Sequence, residues 1–163
     1  MTELQNKIVA LLKQDARYTH EQIAVMLNAD KKVIANEITA LEKNGVIVKY
    51  AAILNEELIN SNSVEALIEV KVSPAAHKGF DAIAEKLYSF SEVKSLYLMS
   101  GVYDLAVLIT GNSLREVASF VSDKLSGIDQ VQSIATHFIL KKYKTEGIVL
   151  HSSSSNKRLS IQA

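Results

Sequence analysis

Leu4, Ile8, Leu11 and Leu12 recur at helical spacing near the start of the chain, and Thr2-Glu3-Leu4-Gln5 can form a capping box there. Asp15-Ala16-Arg17-Tyr18 interrupts the stripe. Thr19-His20-Glu21-Gln22 is a second capping-box match, opening a short helix with Ile23, Ala24 and Leu27 on one face. Asn28-Ala29-Asp30 breaks that helix, and Asp30 is placed to cap a third, which carries Ile34, Ile38 and Leu41 at i, i+4 and i+7. Asn44-Gly45 supplies the left-handed-tolerant pair that ends such a helix. After Gly45 the period shortens, and Val46 to Ile53 reads as a strand leading out of the helical unit. Asn55 to Ser63 is polar and turn-rich, which places a linker there.

Residues 64 to 144 divide into two similar halves. Val64 to Val72 alternates as a strand should, Phe80, Ile83, Ala84 and Leu87 form a helical stripe, and Val93 to Met99 is the next strand. Tyr103 to Thr110 then reads as a strand. Ser113-Leu114-Arg115-Glu116 opens a helix with Leu114, Val117, Val121 and Leu125, and Val131 begins a strand reaching about Leu140. The order β-α-β-β-α-β is the split βαβ of ferredoxin-like domains. Both helices on one face leave the other face of the sheet bare. Leu67, Leu98 and Ile109 sit in these strands, so a second copy is the expected cover and a homodimer the expected state. The expected organisation is α+β: a helix-turn-helix over 1–50, strand and linker over 51–63, the βαββαβ domain over 64–145, and a mobile Ser-rich tail over 146–163.

Three short helices with a tight connection before the third suit a helix-turn-helix, whose last helix enters the major groove of double-stranded DNA. With Ile34, Ile38 and Leu41 buried, the outer face shows Lys31, Lys32, Ala35, Asn36 and Thr39. Asn reads adenine, Lys contacts guanine or phosphate, and Ala and Thr pack on a thymine methyl. On pattern alone, a three-helix cap with a solvated charged face fits equally well. Charge does not choose between them: Lys plus Arg and Asp plus Glu are 18 each, so the whole chain offers no bulk attraction to nucleic acid or anionic membrane. Glu37 on the third helix is unhelpful if it faces phosphate.

Taken together, the patterns resemble the Lrp/AsnC, or feast/famine, family of transcription regulators over residues 3 to about 145. The stretches carrying the likeness are Asp15-Ala16-Arg17, Leu41 to Ile47 with Tyr50, Gly101-Val102-Tyr103-Asp104-Leu105, and Thr136 before Phe138-Ile139-Leu140-Lys141. The resemblance implies a winged helix-turn-helix followed by a ligand-sensing domain of the RAM type. It also implies dimers that assemble further into octamers, and an amino-acid effector held between subunits. Gly101, Tyr103 and Asp104 would lie beside that effector, with Thr136 contributed by the facing strand. Two departures stand out: the family's basic residue before the recognition-helix Ile is Glu37 here, and the first Thr of its Thr-x-Thr is Ile134.

Each of these residues also has a plainer reading. Gly101 suits a tight hairpin, Tyr103 a half-buried strand, Asp104 a turn bonding its own backbone, and Thr136 an ordinary β-branched strand position. His20, His77, His137 and His151 show no metal-ligand spacing. There is no cysteine, so disulfides, thiolate nucleophiles and Cys-ligated zinc are excluded. No phosphate loop, nucleophile elbow or carboxylate pair points to catalysis. The expectation is no catalytic residue, no metal and no cofactor. One enzyme alternative is kept, because sirohaem decarboxylases share this architecture; His77, Arg115 and His137 are the candidate propionate holders. An effector-binding module without DNA binding is a further alternative. The N-terminus lacks a signal-peptide h-region, and no apolar run approaches the roughly 18 residues that span a bilayer, so a cytoplasmic location is expected.

Overall fold

The Thr2 and Thr19 hydroxyls each accept the backbone N–H three residues on, and the Gln5 and Gln22 side chains reach back to the two threonine N–H groups. Two capping boxes therefore start helices α1 (Glu3–Gln14) and α2 (His20–Leu27) where the sequence places them. Asn28 ends α2 in the left-handed conformation, and the Asp30 carboxylate caps α3 (Lys31–Lys43) by accepting from Lys32 and Val33 N–H. In the computed structural model, residues 1–59, 63–73 and 79–150 are described. The described chain divides into two units at Leu54 and Asn55.

In the first unit Ile8, Ile23, Ala24, Ile34, Ile38 and Leu41 form one core, with Leu4, Leu12, Tyr18 and Ile47 packed around it. The end of α3 differs from a helix running into a strand. Gly45 has φ +69° and donates to Glu42 O, while Val46 N–H returns to Leu41 O at 2.9 Å. This is a Schellman closure, and Ile47 N–H also bonds Leu41 O, so the chain folds back onto the helix. The strand expected over Val46–Ile53 does not form. A strand needs a ladder partner to satisfy its backbone, and none lies beside it among the described residues. For the same reason the first unit contains no wing. Glu56–Ile59, expected as linker, forms a short 3₁₀ turn; residues 60–62 lie outside the described chain.

The second unit has strands β1 (Val64–Val72), β2 (Val93–Leu98), β3 (Leu105–Gly111) and β4 (Val131–Phe138), with helices α4 (Asp81–Tyr88) and α5 (Leu114–Ser119). The sheet order is β2-β3-β1-β4, with every pair antiparallel. Ser113 caps α5, but Glu116 closes back onto Asn112 N–H rather than Ser113. A π-helical turn, Phe120–Leu125, then extends α5. Tyr103 and Asp104 precede β3 instead of opening it.

Register determines which side chains meet the helices. Ala66, Ile68 and Val70 of β1 lie opposite Ile109, Val107 and Leu105 of β3, and all are buried with Val72, Ile83, Leu87, Val117 and Phe120. Ile109 thus faces the helices, not the bare face, and Leu98 pairs with Leu105 on that same side. Of the three residues expected on the bare face, only Leu67 is there. It stands among Leu108, Ala106 and Tyr97, with Glu65, Glu69, Lys71 and His137 interleaved. After β4 the chain makes a hairpin, β5 (Lys144–Thr145) with β6 (Ile148–Val149), across Glu146-Gly147, both at positive φ. Residues 146–150 therefore belong to an ordered hairpin rather than to the expected tail; the Ser-rich stretch from His151 onward lies outside the described residues.

Candidate functional site

Burying Ile34, Ile38 and Leu41 turns Lys32, Asn36, Thr39 and Lys43 to the opposite side of α3, since each residue advances the helix by about 100°. These four are exposed, while Ala35 is half-buried on the flank. Lys31 is exposed too, but its ammonium is paired with Glu21 of α2. Lys43 continues the Lys32–Asn36–Thr39 row, and its i+7 spacing from Asn36 is the signal that identifies it.

The acids of this unit are all occupied. Glu3 pairs with Lys7 at 2.7 Å, Glu21 with Lys31, and Asp30 caps α3. Asp15 holds Arg17 through both carboxylate oxygens, and Arg17 in turn lowers the Asp15 pKa to about 2, through its side-chain hydrogen bond first and its backbone N–H second. Glu37 Oε2 accepts from Gln5 Nε2 at 2.8 Å, and Glu42 Oε1 accepts from the Tyr50 hydroxyl at 3.0 Å. Burial, then the Glu42 carboxylate, raises the Tyr50 pKa. The Lys32 and Lys43 ammonium groups have no ion-pair partner among the described residues. Glu37, the departure that spoke against DNA contact, is directed at α1 and not at the outer face.

The effector candidates are only partly brought together. Gly101, Tyr103 and Asp104 share the β2–β3 loop. Gly101 is not at positive φ, and a side chain there would meet open space, so the turn itself does not require glycine. Asp104 is tied to the sheet at three points. Its Oδ2 accepts from Val72 N–H at 2.9 Å, its N–H donates to Val70 O at 3.1 Å, and its carbonyl accepts from Met99 N–H at 2.8 Å. Val72 sits at the bulge where β1 loses register with β4. Asp104 therefore bonds a neighbouring strand's backbone, not its own. Thr136 lies on β4 opposite Ile68, half-buried toward the helices. Four residues of β1 separate that level from Val72, or roughly 13 Å at the usual rise. Within one chain Thr136 and the Asp104 loop do not form a single pocket.

A cavity of about 450 Å³ lies elsewhere, between the end of β3 and the π turn, lined by Glu92, Arg115, Glu116, Phe120, Asp123 and Lys124 among others. Lys124 pairs with Glu92 at 2.5 Å, with its ammonium 5.1 Å from the centre of the Phe90 ring. His137 is on the opposite, bare face of the sheet, 3.6 Å from Glu69. Arg115 and His137 consequently cannot hold one ligand within a chain; His77 lies outside the described residues.

Comparison with known proteins agrees with this architecture. Residues 65–149 match the Lrp/AsnC ligand binding domain family. YugG of Bacillus subtilis, an HTH-type transcriptional regulator, is 46% identical over 160 residues, covering 98% of this chain and 96% of that protein. LrpA of Pyrococcus horikoshii, also an HTH-type transcriptional regulator, is 31% identical over 137 residues, covering 84% and 94%. Among solved structures, the Neisseria meningitidis regulator NMB0573 in complex with L-Met superposes with a TM-score of 0.71 at 23% identity, covering 89% of this chain and 93% of that one. Escherichia coli AsnC superposes with a TM-score of 0.69 at 19% identity, covering 89% and 95%. A three-helix unit with a free polar face, a βαββαβ sensing unit and near full-length likeness to named regulators converge: the chain belongs to the Lrp/AsnC family of HTH-type transcriptional regulators.

Proposed function

We propose that the protein works as a homo-oligomer that places α3 in the major groove of double-stranded DNA and adjusts that grip through an amino acid bound between subunits. The observation that carries the DNA half is the charge arrangement on the first unit. Its acids are taken up by caps, ion pairs and neutral donors, while Lys32 and Lys43 stay free beside Asn36 and Thr39. Free lysines beside a side chain able to read adenine supply phosphate attraction and base selection on one face. The alternative of an effector module without DNA binding rested on Glu37, and its hydrogen bond to Gln5 removes that support. The sirohaem reading is likewise weakened, because Arg115 and His137 lie on opposite faces of the sheet.

For the effector half, support comes from the Asp104 loop and from the L-Met held by the Neisseria relative. Asp104 Oδ2 is engaged by Val72 N–H, whereas Oδ1 accepts no hydrogen bond among the described residues, which leaves it for a ligand ammonium. Thr136 faces the helices, so from a second copy of the chain it reaches the same ligand past the open edge of β4 rather than through the bare face. That copy covers Leu67 and Leu108 on the bare sheet face, giving a homodimer, with an octamer as the higher assembly. The protein acts without catalysis, in the cytoplasm; no described helix is long and apolar enough to cross a membrane. The test is selection of genomic DNA fragments with and without a pool of amino acids. Salt-sensitive enrichment of discrete sites that shifts with the pool supports the reading, and binding to none refutes it.

A further inference from the structure

We infer that Gln5 is a positioning residue for the recognition helix, acting through Glu37 to fix the roll of α3 against α1. This rests on the DNA-binding reading above. Gln5 is the N3 residue of α1, and its amide is used at both ends. Oε1 accepts from Thr2 N–H at 2.9 Å, and Nε2 donates to Glu37 Oε2 at 2.8 Å. A capping box takes Glu or Gln at this position equally well. Here only the amide serves: a carboxylate would cap Thr2 but repel Glu37, and a lysine would bind Glu37 but could not accept from Thr2.

The contact stands beside the aliphatic seam between the two helices. Gln5 is one turn before Ile8 on α1, and Glu37 immediately precedes Ile38 on α3, both of those isoleucines being buried. Burial of Ile8, Ile34 and Ile38 sets which side of α3 faces outward, but apolar burial is non-directional and holds the finer roll about the helix axis only weakly. A hydrogen bond requires distance and angle, so the Gln5–Glu37 bond selects one roll. In that roll Lys32, Asn36 and Thr39 point away from the core and the Glu37 carboxylate is kept off the phosphate-facing side. Tyr50 does the same for Glu42 at the other end of α3. A helix that carries acids at two positions thereby presents an uncompensated basic face.

The test uses the full chain and three variants: Gln5→Glu, the exchange Gln5→Glu with Glu37→Gln, and Lys32→Ala. Gln5→Glu keeps the cap acceptor and sets two carboxylates against each other. It is expected to lower affinity for a selected DNA site at least fivefold and to narrow the gap between that site and random duplex. The exchange restores one donor and one acceptor, and returns affinity to within twofold of the parent. Affinity unchanged in Gln5→Glu while Lys32→Ala weakens binding, or not restored by the exchange, overturns the inference. If Lys32→Ala also leaves binding untouched, the DNA face itself is misassigned. The positioning bond is then judged by melting temperatures of Gln5→Ala, Glu37→Ala and the double variant: additive losses overturn it, and a double loss smaller than the sum upholds it.

Discussion

Replacing Asp104 with alanine removes the acceptor that satisfies Val72 N–H at the β1 bulge, while leaving the backbone bonds of residue 104 to Val70 and Met99 in place. Val72 is 5% exposed, so its stranded N–H has little access to water. A hydrogen bond to a charged group contributes about 1.5–3 kcal/mol, and an unsatisfied buried donor costs a similar amount. Partial burial of the Asp104 carboxylate places the expected loss at about 2 kcal/mol. In a unit of roughly 100 residues that lowers the melting temperature by about 8 °C. Asp104→Asn keeps an acceptor oxygen and should lose less than half as much. Calorimetric melting of the three proteins measures this, and titration with amino acids on the same samples measures the effector role. Asp104→Ala is expected to lose stability through Oδ2, which serves the sheet, and, on the proposed effector reading, at least tenfold in effector affinity through Oδ1. An Asp104→Ala melt within 1 °C of the parent would refute the bulge argument. Unchanged ligand affinity alongside the lower melt would remove Asp104 from the effector site.

On the recognition helix, Lys32→Ala should weaken DNA binding to all sequences and reduce the salt slope by about one unit, while Asn36→Ala should chiefly reduce discrimination between sites; fluorescence anisotropy over a salt series separates the two. The bare sheet face, with Leu67 and Leu108 at its centre, predicts a dimer or a multiple of one by sedimentation, and Leu67→Lys should shift it toward monomer. Lys142 pairs with the 5%-exposed Glu65 at 2.6 Å and with Glu56 at 3.4 Å. Burial acts to lower the Lys142 pKa, but the Glu65 and Glu56 carboxylates outweigh it and raise it. Its folded pKa being the higher, the ion pair stabilises fully below the ordinary lysine pKa and is lost as pH rises through the folded value. Lys142→Met should therefore abolish that alkaline loss in a melting-versus-pH series. Asp15 has the opposite sign. Held at about 2 by Arg17, it contributes above the ordinary aspartate pKa and is lost as pH falls toward 2, which carboxyl NMR titration reads directly.

Those features of this chain that depend on neighbours in sequence were legible without coordinates. Thr2 with Gln5, Thr19 with Gln22, Asp30 before α3 and the Asn44-Gly45 stop are backbone chemistry completed within a turn or two, and each forms where the pattern places it. Alternation along β1 likewise suffices for a strand, and the order of periods for a split βαβ. The outer row of α3 was legible too, because burying Ile34, Ile38 and Leu41 leaves one side exposed whatever lies beyond. Partners distant in sequence were not. Val46–Ile53 has strand composition, yet a strand exists only with a ladder partner, and the Schellman return to Leu41 competes for the same residues. Ile109 and Leu98 lie on the helix side of the sheet and not on the bare side expected for them, because period-two spacing separates two faces without saying which one the helices cover; pairing with Ala66 and Leu105 decides it. In sequence alone Glu37 is an acid that hinders binding if it faces phosphate, and Asp104 is either a turn residue or a partner for an ammonium group; the fold brings Gln5 to the first across 32 positions and Val72 to the second across the same separation. A hydrogen-bond donor supplied from a different element leaves no periodic trace in the chain, so only the tertiary structure could decide where those two carboxylates point.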